Sequence, residues 1–375
     1  MTDFVGLTWD HPRGRDALEA AAAGFSAESR DTLRWDVHSL EGFESSPIDE
    51  LARRYDLLVL DHPHLGDALA MDSIRPLDEL FTPAELERWA SAAVGPSAAS
   101  YTLDGRQWAL PLDAATQVSA RRPDLVPTAP ASWEDALRLA ATGLVTPNIA
   151  GPHAFLTFCS IAVSLGEEPA VDAERMLSRP VARSALDILQ QLAASAPATV
   201  LGLNPIGMLD HLSTHDDLGY IPLVYGYVTY SSQGRGRRVA FAAPPTAGGR
   251  IGSTIGGTGI AVTRRTEPTE DLLDHLRWLL APDTQSAFIP QHAGQPSARA
   301  AWLDPAVDDA AHGFYSDTLA TIEGAWVRPR FPGYVPFQSH ASAIIRVGLT
   351  ANPEQALDEL DALYRGASDH RKAPV

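Results

Sequence analysis

Short apolar runs alternate with helix-period segments along the first sixty residues. Residues 4–8, with Phe4, Val5 and Leu7, read as a strand; residues 13–24 set Leu18, Ala21 and Ala22 on one side of a helix. Residues 33–37 alternate with period two, and residues 48–55 return to helix spacing. Residues 56–60, Asp-Leu-Leu-Val-Leu, are the continuous apolar run of a strand covered on both faces. This order predicts a parallel sheet with helical crossovers. Ligands of such sheets bind beyond the carboxyl ends of the strands. Two loops fall there: Trp9-Asp10-His11-Pro12-Arg13-Gly14 and Asp61-His62-Pro63-His64.

Further along, residues 83–94 form a helix with proline in its first turn, and Asp104-Gly105 turns a hairpin within residues 101–110. Ser132 caps a helix over 132–141, with Asp135 three residues on. Apolar helices are expected over 152–165 and 172–194, and strands over 218–224 and 239–243. The glycine-rich run 252–262 lacks the G-x-G-x-x-G spacing that opens a helix, so it reads as a bend between lobes followed by a strand. An amphipathic helix covers 267–280. An Arg/Pro/aromatic loop spans 328–334, and two helices end near Tyr364.

The chain has 375 residues, 45% of them hydrophobic, enough for two domains or one large α/β unit. Its formal net charge of −18 repels phosphate backbones and anionic lipid, which excludes nucleic acid and membrane surfaces as partners. No apolar run reaches the roughly 18 residues of a membrane span. Lys372 is the single lysine, which removes Schiff-base chemistry and the lysine of a phosphate loop. Cys159, the single cysteine, sits in an apolar run and reads as a packing residue. Residues 1–8 lack a basic start followed by an apolar stretch, so the expected location is cytoplasmic. Neither G-x-S-x-G nor H-E-x-x-H occurs.

Several stretches resemble the extracellular solute-binding proteins of ABC importers, group 1, the carbohydrate-binding type. These are Tyr55-Asp56-Leu57-Leu58-Val59-Leu60-Asp61, Ile74-Arg75-Pro76-Leu77-Asp78-Glu79-Leu80 and Gly105-Arg106-Gln107-Trp108-Ala109-Leu110-Pro111. Gly256-Gly257-Thr258-Gly259-Ile260-Ala261-Val262, with the helix up to Trp278-Leu279-Leu280, and Pro353-Glu354-Gln355-Ala356-Leu357-Asp358 complete the series. The resemblance spans nearly the whole chain in the family's order. It implies an α/β, two-lobed periplasmic-binding-protein-like (type II) fold with a hinge and an interlobe cleft. One lobe would hold residues 1–110 plus 257–297, the other 111–256 plus 298–375. It also implies a monomer that closes on a small polar organic ligand, sugar-like or carboxylate-bearing. The chain departs from the pattern in lacking an export signal. Transporter subunits are therefore not expected as partners, and a cytosolic enzyme on this fold is the alternative.

The candidate site follows from the loops. Asp10, His11, Asp61, His62 and His64 would bring two carboxylates and three imidazoles to one crevice edge. They could contact ligand, act as general acid and base (Asp10, His11, Asp61 or His62), hold a divalent metal, or cap helices. No cofactor or resident metal is expected. Trp9, Tyr225 and Tyr227 are candidates for stacking on the ligand, the two tyrosines sharing a face if extended. The resemblance places a ligand contact at Asp113, which could instead be a hinge hydrogen bond; Gln117 could join it. Gly256 and Gly257 could offer backbone N–H groups. Arg328 and Arg330 could hold an anionic ligand or form lobe–lobe salt bridges. Trp133 and Trp278 read as core.

Overall fold

In the computed structural model, which describes residues 1–172, 174–231 and 236–369, the chain builds two main sheets with helices around each, the first and second lobes, and a two-stranded hairpin of Thr102–Leu103 and Arg106–Gln107. The first sheet runs Thr32–His38, Asp3–Trp9, Leu57–Leu60, Thr258–Val262, Leu110–Asp113. The first three strands are parallel, as their alternation with helices predicts. Thr258–Val262 enters antiparallel to both its neighbours. Leu57 and Val59 face one apolar cluster, and Leu58 and Leu60 face another. Burial on both sides is why this strand carries no polar alternation.

The second sheet is antiparallel, with Gln117–Arg121 between Tyr220–Tyr225 and Ala240–Ala242. One of its faces lies on helices His153–Ser164 and Arg179–Ala194 through Phe155, Phe158, Leu186 and Leu189. The other lies on Trp302, Phe314 and Tyr315. Cys159 is fully buried in this core, and burial pushes its thiol far above the usual range, so it is an inert packing residue.

The chain passes from the first sheet to the second at residues 114–116 and returns at 255–257, where Thr116 bridges Ile255. Gly257 has φ +85°, and a Cβ there would lie 2.4 Å from the Asp113 carbonyl oxygen. Glycine at 257 thus permits both the turn and the close crossing. A further passage follows Pro296, which bridges Asp113.

Two expectations fail locally. The helix expected from 172 starts at Arg179, because Asp172 caps its own local turn and Pro180 is confined to a first turn. Trp278 is 41% exposed, not core: the buried stripe of its helix runs through Leu272, Leu273, Leu276 and Leu279. Lys372 lies outside the described residues. Among the described residues no helix is long and apolar enough to cross a membrane.

Candidate functional site

Strands Asp3–Trp9 and Leu57–Leu60 are parallel neighbours, so their loops emerge at one edge. Asp61 ends the buried strand and caps a short turn over His62–His64, its Oδ1 accepting from the His62 N–H at 2.9 Å. Both its oxygens also accept from Arg328 Nη2, at 2.7 and 2.6 Å. Arg328 comes from the second lobe, 2% exposed, and its Nη1 donates to Gln338 Oε1 at 3.2 Å. The guanidinium holds the Asp61 carboxyl far below the usual carboxylate range despite burial. Arg330, two residues on, points elsewhere, its Nη1 donating to the carbonyls of Ala99, Ser100 and Thr102.

A second interlobe contact starts at Arg13. Pro12 opens helix Pro12–Glu28, which leaves Arg13 in its first turn, 5% exposed. Its Nε donates to Asp113 Oδ2 at 2.8 Å and its Nη2 to Asp113 Oδ1, a forked pair. Its Nη1 donates to the Gly226 carbonyl of the second lobe at 3.0 Å, and its charge lies 4.6 Å from the Tyr227 ring centre. His11, the cap of this helix, meets Tyr227 edge-on at 4.7 Å.

Between these contacts lies the cleft. Its floor is a small cavity lined by Glu44, Asp61, His64, Tyr225, Arg328 and Gln338. Glu44 and Pro152 also line the wider cavity above it, of about 590 Å³, where Glu41 and Ser45 of the first lobe face His153, Asn204 and Arg346 of the second. Asn204 Nδ2 donates to Glu41 Oε1 at 2.7 Å, and His153 Nε2 lies 3.1 Å from Glu44 Oε1. His153 also meets the Tyr225 ring edge-on at 6.0 Å. That volume falls in the range of about 300–1,000 Å³ usual for small-molecule sites. The Nε atom of Arg328, buried on the floor, has no hydrogen-bond partner among the described residues.

The structure thus sorts the predicted residues. Asp61, His64, Tyr225 and Arg328 share one cavity. His62 is fully buried behind it, Nδ1 3.1 Å from Asp61 Oδ1. Asp10 does not join them: it is exposed and paired with Arg15 at 2.5 Å. Trp9 is buried beside Arg13, its ring 5.3 Å from Phe43. Asp113 is held by Arg13 and is the hinge contact rather than a free carboxylate. Gln117 is fully buried and accepts from Ser160 Oγ at 2.5 Å. Tyr225 lines the small cavity beside His153, whereas Tyr227 packs against His11 and Arg13. The Gly256 N–H donates to the Ala115 carbonyl at 2.8 Å, so it serves the hinge, and a Cβ at 256 would strike the Tyr225 ring at 2.5 Å. Arg328 pairs with Asp61, and Arg330 donates to the carbonyls of residues 99, 100 and 102. Sequence reasoning missed Arg13, Glu44, His153 and Gln338.

Among the described residues no group of three His, Cys, Asp or Glu side chains could hold a metal ion. Burial pushes the His62 pKa down to about 4, so the ring is neutral and a weak base at pH 7. This has a consequence for stability. The folded value lies below the ordinary 6.5, so the unfolded state binds more protons between them. Stability from this group is present above pH 6.5 and is lost as pH falls through the folded value, by roughly 3 kcal/mol in all. Urea denaturation from pH 7 to pH 4 should show this slope, and the His62→Asn protein should lose most of it. An equal slope in both proteins assigns the effect to other groups.

No protein-family model matches the sequence, and no curated protein does. Solved structures do match. An ABC transporter solute-binding protein from Agrobacterium radiobacter K84 in complex with ribitol superposes with a TM-score of 0.82 at 19% identity, over 97% of this chain and 98% of that one. Maltose-bound MalE3 of T. maritima gives 0.82 at 17%, over 98% and 100%. A solute-binding protein from Agrobacterium vitis S4 with bound D-mannitol gives 0.80 at 14%, over the whole of both chains. The chain therefore has the two-lobed, periplasmic-binding-protein-like α/β fold of carbohydrate ABC transporter solute-binding proteins.

Proposed function

We propose that the protein binds a small neutral polyhydroxy solute, a sugar or polyol, between its two lobes. The observation that carries this reading is the interlobe cavity of about 590 Å³, where Glu41, Glu44 and Ser45 face Asn204, Ser339 and Arg346, with hydrogen-bonding groups on both sides. In the smaller cavity beside it, Asp61 is already paired with Arg328. A neutral ligand with many hydroxyls can donate to the carboxylates of Glu41 and Glu44 and accept from Asn204 and Arg346. In the smaller cavity a carboxylate ligand would have to compete with Asp61 for Arg328. The likeness to structures holding ribitol, maltose and D-mannitol supports the same class.

Titration calorimetry and thermal unfolding with ribitol, D-mannitol and maltose test the proposal. At least one should bind saturably, adding about 2.7 kcal/mol of stability at a hundredfold excess over its Kd. In Tyr225→Leu, affinity for that solute should fall about three- to tenfold, since an aromatic contact contributes roughly 0.5–1.5 kcal/mol. Binding of sugar acids in preference to every neutral sugar and polyol would overturn the reading, as would a ligand recovered chemically changed.

A further inference from the structure

The small cavity on the cleft floor has a volume of about 20 Å³, room for one group the size of a water molecule or a hydroxyl. It adjoins the wider cavity, since Glu44 and Pro152 line both. Its walls are of two kinds. Pro63, Leu156 and Val335 are apolar. Glu44, Asp61 and Tyr225 are polar and retain open surface: the Glu44 side chain is 18% exposed, that of Asp61 16%, and Tyr225 is half-buried.

These polar groups have hydrogen-bonding capacity left. Asp61 accepts from the His62 N–H and, through both oxygens, from Arg328 Nη2, whereas a carboxylate offers about four acceptor positions. The Tyr225 hydroxyl donates to the Ile255 carbonyl at 3.5 Å, the far limit of a hydrogen bond. Burial raises the pKa of this phenol, so it keeps its proton and stays a donor.

We propose that this pocket takes the terminal hydroxymethyl group of the solute, so that the protein selects polyols and sugars that carry a primary alcohol. The inference rests on the reading above and narrows it. The methylene packs against Leu156 and Val335, and the hydroxyl donates to the Asp61 or Glu44 carboxylate and accepts from the Tyr225 O–H. A secondary alcohol carbon carries two carbon branches and a hydroxymethyl carbon only one, so a pocket with room for a single group admits a chain end and refuses a ring edge. A methyl end would fit but would leave the polar wall unanswered. A carboxylate end would meet two carboxylates.

D-Mannitol and myo-inositol carry the same number of hydroxyls, and only mannitol has hydroxymethyl ends. Titrated into the full chain, mannitol should bind at least about tenfold more tightly than inositol. Val335→Ile adds one carbon to the apolar wall and changes no polar group. It should weaken whichever of ribitol, D-mannitol and maltose binds by about tenfold, all three having such an end. Tyr225→Phe keeps the ring and removes the donor, and should weaken the same solute roughly three- to tenfold. Thermal unfolding without solute shows whether each variant is folded. Equal affinity for mannitol and inositol overturns this inference and leaves the reading of the cleft standing. So does wild-type affinity in Val335→Ile, with Tyr225→Phe deciding should that variant fail to fold. If none of ribitol, D-mannitol and maltose binds the wild type, the reading itself falls and takes the inference with it.

Discussion

Replacing Arg328 with methionine should destabilise the protein by about 3–5 kcal/mol, the cost of stripping one partner from a buried ion pair. Arg328 is 2% exposed, and the Asp61 side chain is 16% exposed. One guanidinium nitrogen serves both carboxylate oxygens, and among the described residues no other arginine is ion-paired with Asp61. The neighbouring His62 is held neutral by burial and cannot take over. The pH dependence fixes the cause. In the wild type Asp61 has its folded value below the unfolded one, so its contribution is present above about pH 4 and is lost as pH falls through the folded value. In Arg328→Met the carboxyl keeps the desolvation that raises its pKa with only its contacts to His62 left to oppose it, and that variant gains relative to wild type as the solution is acidified. Urea denaturation of both proteins at pH 7 and pH 4 measures this. The double variant Asp61→Asn with Arg328→Met should recover part of the loss, because neutral groups carry no unpaired charge. A loss below about 1 kcal/mol at pH 7 would show that the pair behaves like an exposed one.

The same pair shows what was legible in the sequence. The strand over 57–60 and the loop after it were readable because a doubly covered strand is continuously apolar and its exit loop marks the crevice. That Asp61 meets Arg328 was not, since 267 positions separate them and each had several plausible roles. Arg13 looked like an ordinary charge in a first helical turn; only its Asp113 partner, 100 residues on, makes it a buried tie. Glu44 sits on a six-residue helix with no buried side to give a pattern. His153 opens a helix whose every residue is buried, so its chemistry was masked by the apolar run around it. Trp278 could have been found: with Asp271 and Asp274 it lies at spacing i, i+3, i+7, off the leucine stripe of its helix. An aromatic on an acidic face is a surface feature, whatever the usual burial of tryptophan.

Arg13→Met should cost a comparable amount, about 3–5 kcal/mol, with a different signature. Here both partners are deeply buried, Arg13 side chain 3% and Asp113 5% exposed. Desolvation outweighs the ion pair at Asp113 and holds its carboxyl above the usual range even in the wild type. Without Arg13 that rise grows. The folded state then binds this proton more tightly than the unfolded one, so the contribution of Asp113 to the variant's stability is greatest below about pH 4 and falls as pH rises through the raised folded value. Arg13→Lys should rescue only part of the loss, because an ammonium cannot reproduce the fork that spans Asp113 and the Gly226 carbonyl together. The Gly226 bond joins the first helix to the second lobe, so its loss also loosens the contact between lobes. Urea denaturation of the three proteins from pH 7 to pH 4 checks the order wild type, Arg13→Lys, Arg13→Met, and the sign of the slope. Full rescue by lysine would show that charge alone matters at this position and that the forked geometry contributes nothing.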